Sequence, residues 1–107
     1  MLKENENIQI SGAEAIEALR EIEYVLISLK KIASYYYERA DVHPTETTSL
    51  EYALETTRFI DQNEVIHRLA KVRKIFSKKF NQALGNDDMS DVERELDTIY
   101  YWKNPGD

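Results

Sequence analysis

Two histidines are the only side chains in this 107-residue chain that ordinarily titrate near neutral pH. His43 lies beside Pro44 and His67 lies beside a basic run, and no Ser/His/Asp or Cys/His set can be assembled around either residue. The chain has no cysteine and no glycine-rich phosphate loop. We therefore predict that the protein is not an enzyme.

Carboxylates in the first half of the chain are the remaining candidates for chemistry, as metal ligands. Helical di-iron proteins use a Glu-x-x-His pair, and no such pair occurs among the first-helix glutamates Glu14, Glu17, Glu21 and Glu38. Carboxylates three and four residues apart on one helix are typical of a solvated face. The sequence therefore predicts neither a metal site nor a cofactor.

A basic run from His67 to Lys79 could form a phosphate-binding face. Residues 61–85 hold six Lys or Arg against two Asp or Glu, although the net charge of the chain is −6. The segments on both sides are acidic, so we interpret the run as one that pairs with acidic helices. A nucleic-acid-binding regulator that uses Lys71, Lys74 and Lys78 is the alternative.

Two aromatic triplets offer binding rather than catalysis: Tyr35-Tyr36-Tyr37 and Tyr100-Tyr101-Trp102. Consecutive residues of an α-helix are about 100° apart, so at least one ring of each triplet is expected at the surface. Aromatic rings surrounded by carboxylates suit a strongly basic protein partner. The predicted contact residues are Asp87, Asp88, Asp91, Asp97, Tyr100, Tyr101, Trp102, Tyr35, Tyr37 and Glu38.

The elements that must position these residues follow a helical period. Apolar residues recur at steps of three and four from Ile16 to Tyr36, and again from Val65 to Leu84. The predicted fold is all-α, a single-domain four-helix or irregular helical bundle, with helices at about 11–40, 49–60, 62–84 and 90–102. Residues 1–10 are expected to be a flexible leader, and residues 11–107 a single helical domain.

Capping signals set the helix boundaries. Ser11 with Glu14 and Ser90 with Glu93 are capping boxes, and Gly85 is expected to end the third helix. Residues 61–64 can be interpreted as another capping box, which would separate the second helix from the third. One continuous helix is the alternative, because no glycine or proline lies between Thr45 and Leu84.

The last eleven residues, Asp97-Thr98-Ile99-Tyr100-Tyr101-Trp102-Lys103-Asn104-Pro105-Gly106-Asp107, resemble the Tyr-Tyr element of the immunity proteins of nuclease colicins. Those are small acidic four-helix proteins that bind their cognate nuclease through an acidic helix and paired tyrosines. The resemblance implies that Tyr100 and Tyr101 are anchors and that Asp97 is an acidic contact. Size, acidity and helical class also resemble the immunity proteins of contact-dependent growth inhibition.

These observations predict a non-catalytic, cytoplasmic protein that binds and neutralises a basic, nuclease-type toxin. No signal segment and no membrane-spanning segment are expected, because no apolar stretch approaches the ~20 residues that a span needs. A homo-oligomeric helical adaptor is the further alternative. The sequence leaves the choice between monomer and homodimer open.

Overall fold

The computed structural model describes residues 1–38 and 45–105, and within those ranges the chain is all-α with no strand. After a short 3₁₀ turn at Lys3–Asn5, the helices are α1 at Gly12–Tyr37, α2 at Glu46–Gln62, α3 at Val65–Ser77 and α4 at Asp91–Leu96. The predicted fold class is confirmed.

The chain divides into two compact units. Residues Ser11–Ile75 form what we call the helical unit, and Met1–Ile10 with Phe76–Asp107 form the terminal unit. The first ten residues, expected to be a flexible leader, therefore belong to a compact unit together with the end of the chain.

In the helical unit, α1 begins at the predicted capping box. The Ser11 hydroxyl accepts from the Glu14 amide at 3.1 Å, and the Glu14 carboxylate accepts from the Ser11 amide at 3.3 Å. The helix ends at Tyr37, and Glu38 is its C-cap. The last two residues of the predicted helix, together with His43 and Pro44, lie outside the described residues.

Helix α2 begins at Glu46, three residues earlier than predicted, because Thr45 accepts from the Thr48 amide at 3.1 Å. The predicted separation of α2 from α3 is confirmed, since a turn at residues 63–64 interrupts the helix. The expected capping box at Asp61 is wrong. Glu64 instead adopts a left-handed backbone conformation, with φ of 52°. This left-handed residue separates α2 from α3 without a glycine or a proline.

The core of the helical unit is small. Val25 of α1, Phe59 of α2 and Val65 of α3 are buried together, and Leu29, Ile32 and Ile60 pack against them. The Tyr24 and Phe59 rings lie with their centroids 5.9 Å apart. One stripe of each helix therefore supplies this core, as helical periodicity requires.

In the terminal unit, the chain leaves α3 at Ser77, and the predicted continuation to Leu84 is wrong. Two turn hydrogen bonds follow, from the Lys79 amide to Phe76 and from the Phe80 amide to Ser77. Gly85 therefore does not end α3 and lies in a loop eight residues further on.

Asn5 holds the N-terminal segment in the terminal unit. Its amide group donates to the Asn81 carbonyl at 3.0 Å, and its oxygen accepts from the Asn81 amide at 2.7 Å. The side chain is only 4% exposed. A side chain in this position satisfies both polar groups of an irregular backbone, so residues 1–5 are docked rather than loose.

Helix α4 begins at the predicted Ser90–Glu93 capping box but ends at Leu96, and the prediction of a helix to Trp102 is wrong. Asp97 is the C-cap, and its amide donates to the Glu93 carbonyl at 2.9 Å. The residues that follow are β-branched and aromatic, and these side chains lose rotamer freedom in a helix. Residues 99–104 consequently form no regular secondary structure.

Candidate functional site

The most exposed aromatic residues are the three consecutive rings after α4, which we call the C-terminal aromatic surface. Tyr100 is 98% exposed, Tyr101 73% and Trp102 81%. The prediction that this triplet keeps at least one ring outside the core is confirmed. The reason differs from the expected one, because the segment is not helical and no ring of the three is buried.

Two of the predicted acidic contacts are exposed and belong to the same unit as this surface. Asp97 precedes Tyr100 by three residues, and Asp88 lies in the loop before α4 with φ of 58°. Among the described residues, no hydrogen bond or ion pair engages either side-chain carboxylate. Both are therefore available to a positively charged partner.

Asp91, predicted as a partner contact, is instead a buried structural residue. One carboxylate oxygen accepts from the Leu2 amide at 2.7 Å and from the Asn5 side chain at 2.8 Å. The other oxygen accepts from Arg94 at 3.0 Å. These hydrogen bonds lower the pKa of Asp91 below its ordinary value. The bond from Asn5 has the largest effect and the bond from Leu2 the second largest. The residue is therefore removed from the candidate surface.

Asp87 is held by the same arginine. The Arg94 guanidinium donates to both oxygens of its carboxylate, at 2.7 and 2.9 Å, in a two-pronged ion pair. This hydrogen bonding holds the pKa of Asp87 well below its usual range and raises that of Arg94 above its usual range. Asp87 thus neutralises Arg94 of the same unit, and it does not belong to the partner contacts either.

Gly85 allows this arrangement. A Cβ atom at that position would lie 2.8 Å from Nη2 of Arg94, and that guanidinium also donates to the Met89 carbonyl at 3.1 Å. A side chain at this position would therefore require the Arg94 guanidinium to shift away from its partners. Sequence reasoning missed Arg94 and Asn5. The partners of Asn5 lie far away in the sequence, and those of Arg94 depend on the conformation of the loop before α4.

The first aromatic triplet forms a tyrosine cluster within the helical unit, together with Tyr52 of α2. Tyr36 and Tyr37 approach the Tyr52 ring edge-on, with centroids 6.1 and 5.1 Å away. Tyr37 donates to the Ser49 hydroxyl at 3.2 Å. Tyr35 and Tyr37 are exposed and Tyr36 is half-buried, so the predicted exposure is confirmed here too.

The surroundings of the tyrosine cluster are partly charged. A groove of about 310 Å³ is lined by Lys31, Ile32, Tyr35, Tyr36 and Glu55. Burial, followed by the nearby charges of Glu55 and Glu51, raises the pKa of Tyr36. Glu38, also predicted as a contact, is exposed and accepts from the Ser34 hydroxyl at 2.7 Å. The tyrosine cluster therefore packs α1 on α2 and also leaves the Tyr35 and Tyr37 rings partly exposed.

The basic run on α3 is paired at its beginning. Arg68 donates to Glu21 of α1 at 3.1 Å, and its guanidinium carbon lies 4.3 Å from the centre of the Tyr24 ring. Lys71 lies 3.1 Å from a Glu17 oxygen and 3.8 Å from a Glu21 oxygen. These contacts agree with charge pairing between helices. Lys71 is thus paired with glutamates of α1, whereas the nucleic-acid alternative requires its ammonium group to bind phosphate.

None of the helices within residues 1–38 and 45–105 combines the length and the hydrophobicity that a membrane span requires. In the same ranges, no three His, Asp or Glu side chains are grouped so that they could hold a metal ion. Comparisons with protein-family models, with curated proteins and with solved structures found no match to this chain.

Proposed function

We propose that the protein is a non-catalytic binding module that neutralises a basic, nuclease-type toxin by docking through the C-terminal aromatic surface. One observation carries the proposal: three consecutive rings, each more than 70% exposed, on a segment without regular structure. Soluble proteins rarely leave this much aromatic surface uncovered within a few residues unless it binds something.

The area of this surface fits a protein partner. A buried Tyr or Trp contributes about 150–250 Å², so three rings at these exposures offer roughly 500 Å². A specific interface of ordinary size buries about 800 Å² on each partner. The three rings would therefore supply the anchors, and the neighbouring polar residues would supply the rest of the contact.

The charge of the surrounding segment favours a basic partner. Residues 86–107 hold seven Asp or Glu against two Lys or Arg. Of these acids, Asp88 and Asp97 are exposed and keep their carboxylates outside the Arg94 network. Negative charge at the edge of an interface accelerates encounter with a positively charged partner, and a nuclease needs positive charge to bind phosphates.

Co-expression with a nuclease-type toxin domain, chosen from the genes that neighbour this one, tests the proposal. Cells that produce both proteins should survive, and the triple variant Tyr100→Ala, Tyr101→Ala, Asp97→Ala should lose that protection. With purified proteins, the same variant should raise the Kd at least about 100-fold, as expected when two aromatic anchors are truncated. Raising the salt concentration should slow association.

Tyr35→Ala is the matched control, because it removes an exposed ring from the other unit and should leave protection unchanged. If the triple variant protects cells as well as the wild type, the C-terminal aromatic surface is not the binding site. If Tyr35→Ala alone abolishes protection, the site lies in the tyrosine cluster instead.

A further inference from the structure

Helix α1 carries a second apolar face that its own unit does not cover. The inner face, with Ala18 and Val25, is buried. On the opposite side, roughly 140° around the helix at 100° per residue, four aliphatic side chains are between 38% and 55% exposed: Ile16, Leu19, Leu26 and Ile27. An amphipathic helix at the surface of a monomer ordinarily has one apolar stripe, so the outer face lacks a partner.

The outer face follows a heptad repeat. Its central positions alternate in steps of three and four and are occupied by Ile16, Leu19, Glu23, Leu26, Lys30 and Ala33. The next position in the series, Tyr37, already contacts Tyr52 of α2. This spacing keeps the aliphatic side chains and the two charges on one side of α1 over most of its 26 residues. Only Glu23 and Lys30 are polar among these positions.

From these exposed aliphatic side chains and the two opposite charges among them, we infer that the outer face of α1 binds the same face of a second copy of the chain, with the two helices antiparallel. A two-fold axis between Leu26 and Ile27 would place Glu23 of each copy opposite Lys30 of the other. Parallel pairing would oppose Glu23 to Glu23 and Lys30 to Lys30. The two charges at equal distances from the axis therefore select the antiparallel arrangement, which the helix dipoles also favour.

Both charges are available for this pairing. Within residues 1–38 and 45–105, neither Glu23 nor Lys30 forms a hydrogen bond or an ion pair, and both are exposed. The other acids on α1 differ, since Glu17 and Glu21 bind Lys71 and Arg68 of the same unit. The second copy thus supplies partners that the chain itself does not.

The exposed apolar area indicates how tight the dimer is. Four half-exposed aliphatic side chains offer about 200 Å² per copy, and the flanking polar residues of a contact about 30 Å long add to it. This is below the ~800 Å² per partner of an ordinary interface. The dimer therefore belongs to the weak class of interfaces, which form only at high protein concentration.

Sedimentation equilibrium of the full chain tests the inference over concentrations from about 5 µM to about 1 mM. The wild type should pass from monomer to dimer in this range. Glu23→Lys and Lys30→Glu should each weaken the dimer about 5- to 20-fold, because each replaces two ion pairs by two like-charge pairs. The double variant Glu23→Lys, Lys30→Glu should restore the wild-type Kd.

Lys31→Glu is the matched control, since it makes the same change of charge one residue away, off the heptad positions, and should leave the Kd unchanged. Far-UV circular dichroism should show equal helicity for all variants, because every substituted side chain is exposed. A chain that stays monomeric at ~1 mM overturns the inference. So does a double variant that stays as weak as the single ones, since antiparallel pairing requires recovery.

Discussion

Replacing Phe59 by alanine tests whether α1, α2 and α3 share one core. The side chain is 9% exposed and lies with Val25 and Val65 at the centre of the helical unit. Truncating a buried phenylalanine removes its transfer free energy and leaves a cavity, which together cost about 3–5 kcal/mol. Small domains are stable by about 5–15 kcal/mol, so one substitution would remove about a fifth or more of that free energy.

Urea unfolding followed by far-UV circular dichroism measures this loss, because most helical residues belong to α1, α2 and α3. The midpoint should fall for Phe59→Ala, and the slope with denaturant should stay constant. Leu54→Ala, at an exposed position on the same helix, should change the free energy of unfolding by less than about 0.5 kcal/mol. A loss below about 1 kcal/mol for Phe59→Ala would show that the three helices do not depend on a common core.

The terminal unit provides the remaining predictions. The pKa of Asp91 is lowered in the folded chain, so its carboxylate stabilises the terminal unit fully above about pH 5. This stability is lost as the pH falls below about 4, and amide hydrogen exchange in the terminal unit, measured at several pH values, will show the loss. Asn5→Ala removes the hydrogen bond that lowers this pKa most, so the Asp91 titration followed by carbon NMR should move to higher pH; an unchanged pKa would contradict the assignment. Gly85→Ala should destabilise the unit by about 1 kcal/mol because its Cβ would displace Arg94, whereas Gly12→Ala, with nothing within 4 Å of the new atom, should stabilise α1 by about 0.5 kcal/mol in denaturant titrations.

Local signals in the sequence predicted the beginnings of helices better than their ends. The capping boxes at Ser11 and Ser90 both form as predicted, because each requires only residues three apart. The ends of α3 and α4 were placed seven and six residues too late relative to Ser77 and Leu96. Helical periodicity continues past Ser77, but Asn5 binds the Asn81 backbone there, and no local pattern reveals a partner 76 residues away.

Only part of the candidate site was predicted, because local sequence signals reveal some of its features and not others. Exposure of Tyr100 and its neighbours follows from the number of rings in a short segment, and this expectation is confirmed. The acidic residues could not be sorted by composition alone. Asp87 and Asp91 neutralise Arg94 inside the unit, whereas Asp97 stays outside, and this division depends on a folded loop rather than on residue type.

The link from Asn5 to Asn81 and Asp91 also fixes an order of events during synthesis on the ribosome. The helical unit is one continuous stretch of chain and can close as soon as Ile75 has emerged. The terminal unit joins segments separated by 76 and 86 residues, so Asn5 remains without these native contacts until residues 81 and 91 have been made. Residues 1–5 therefore reach their folded position after the helical unit can close, although they are synthesised before it.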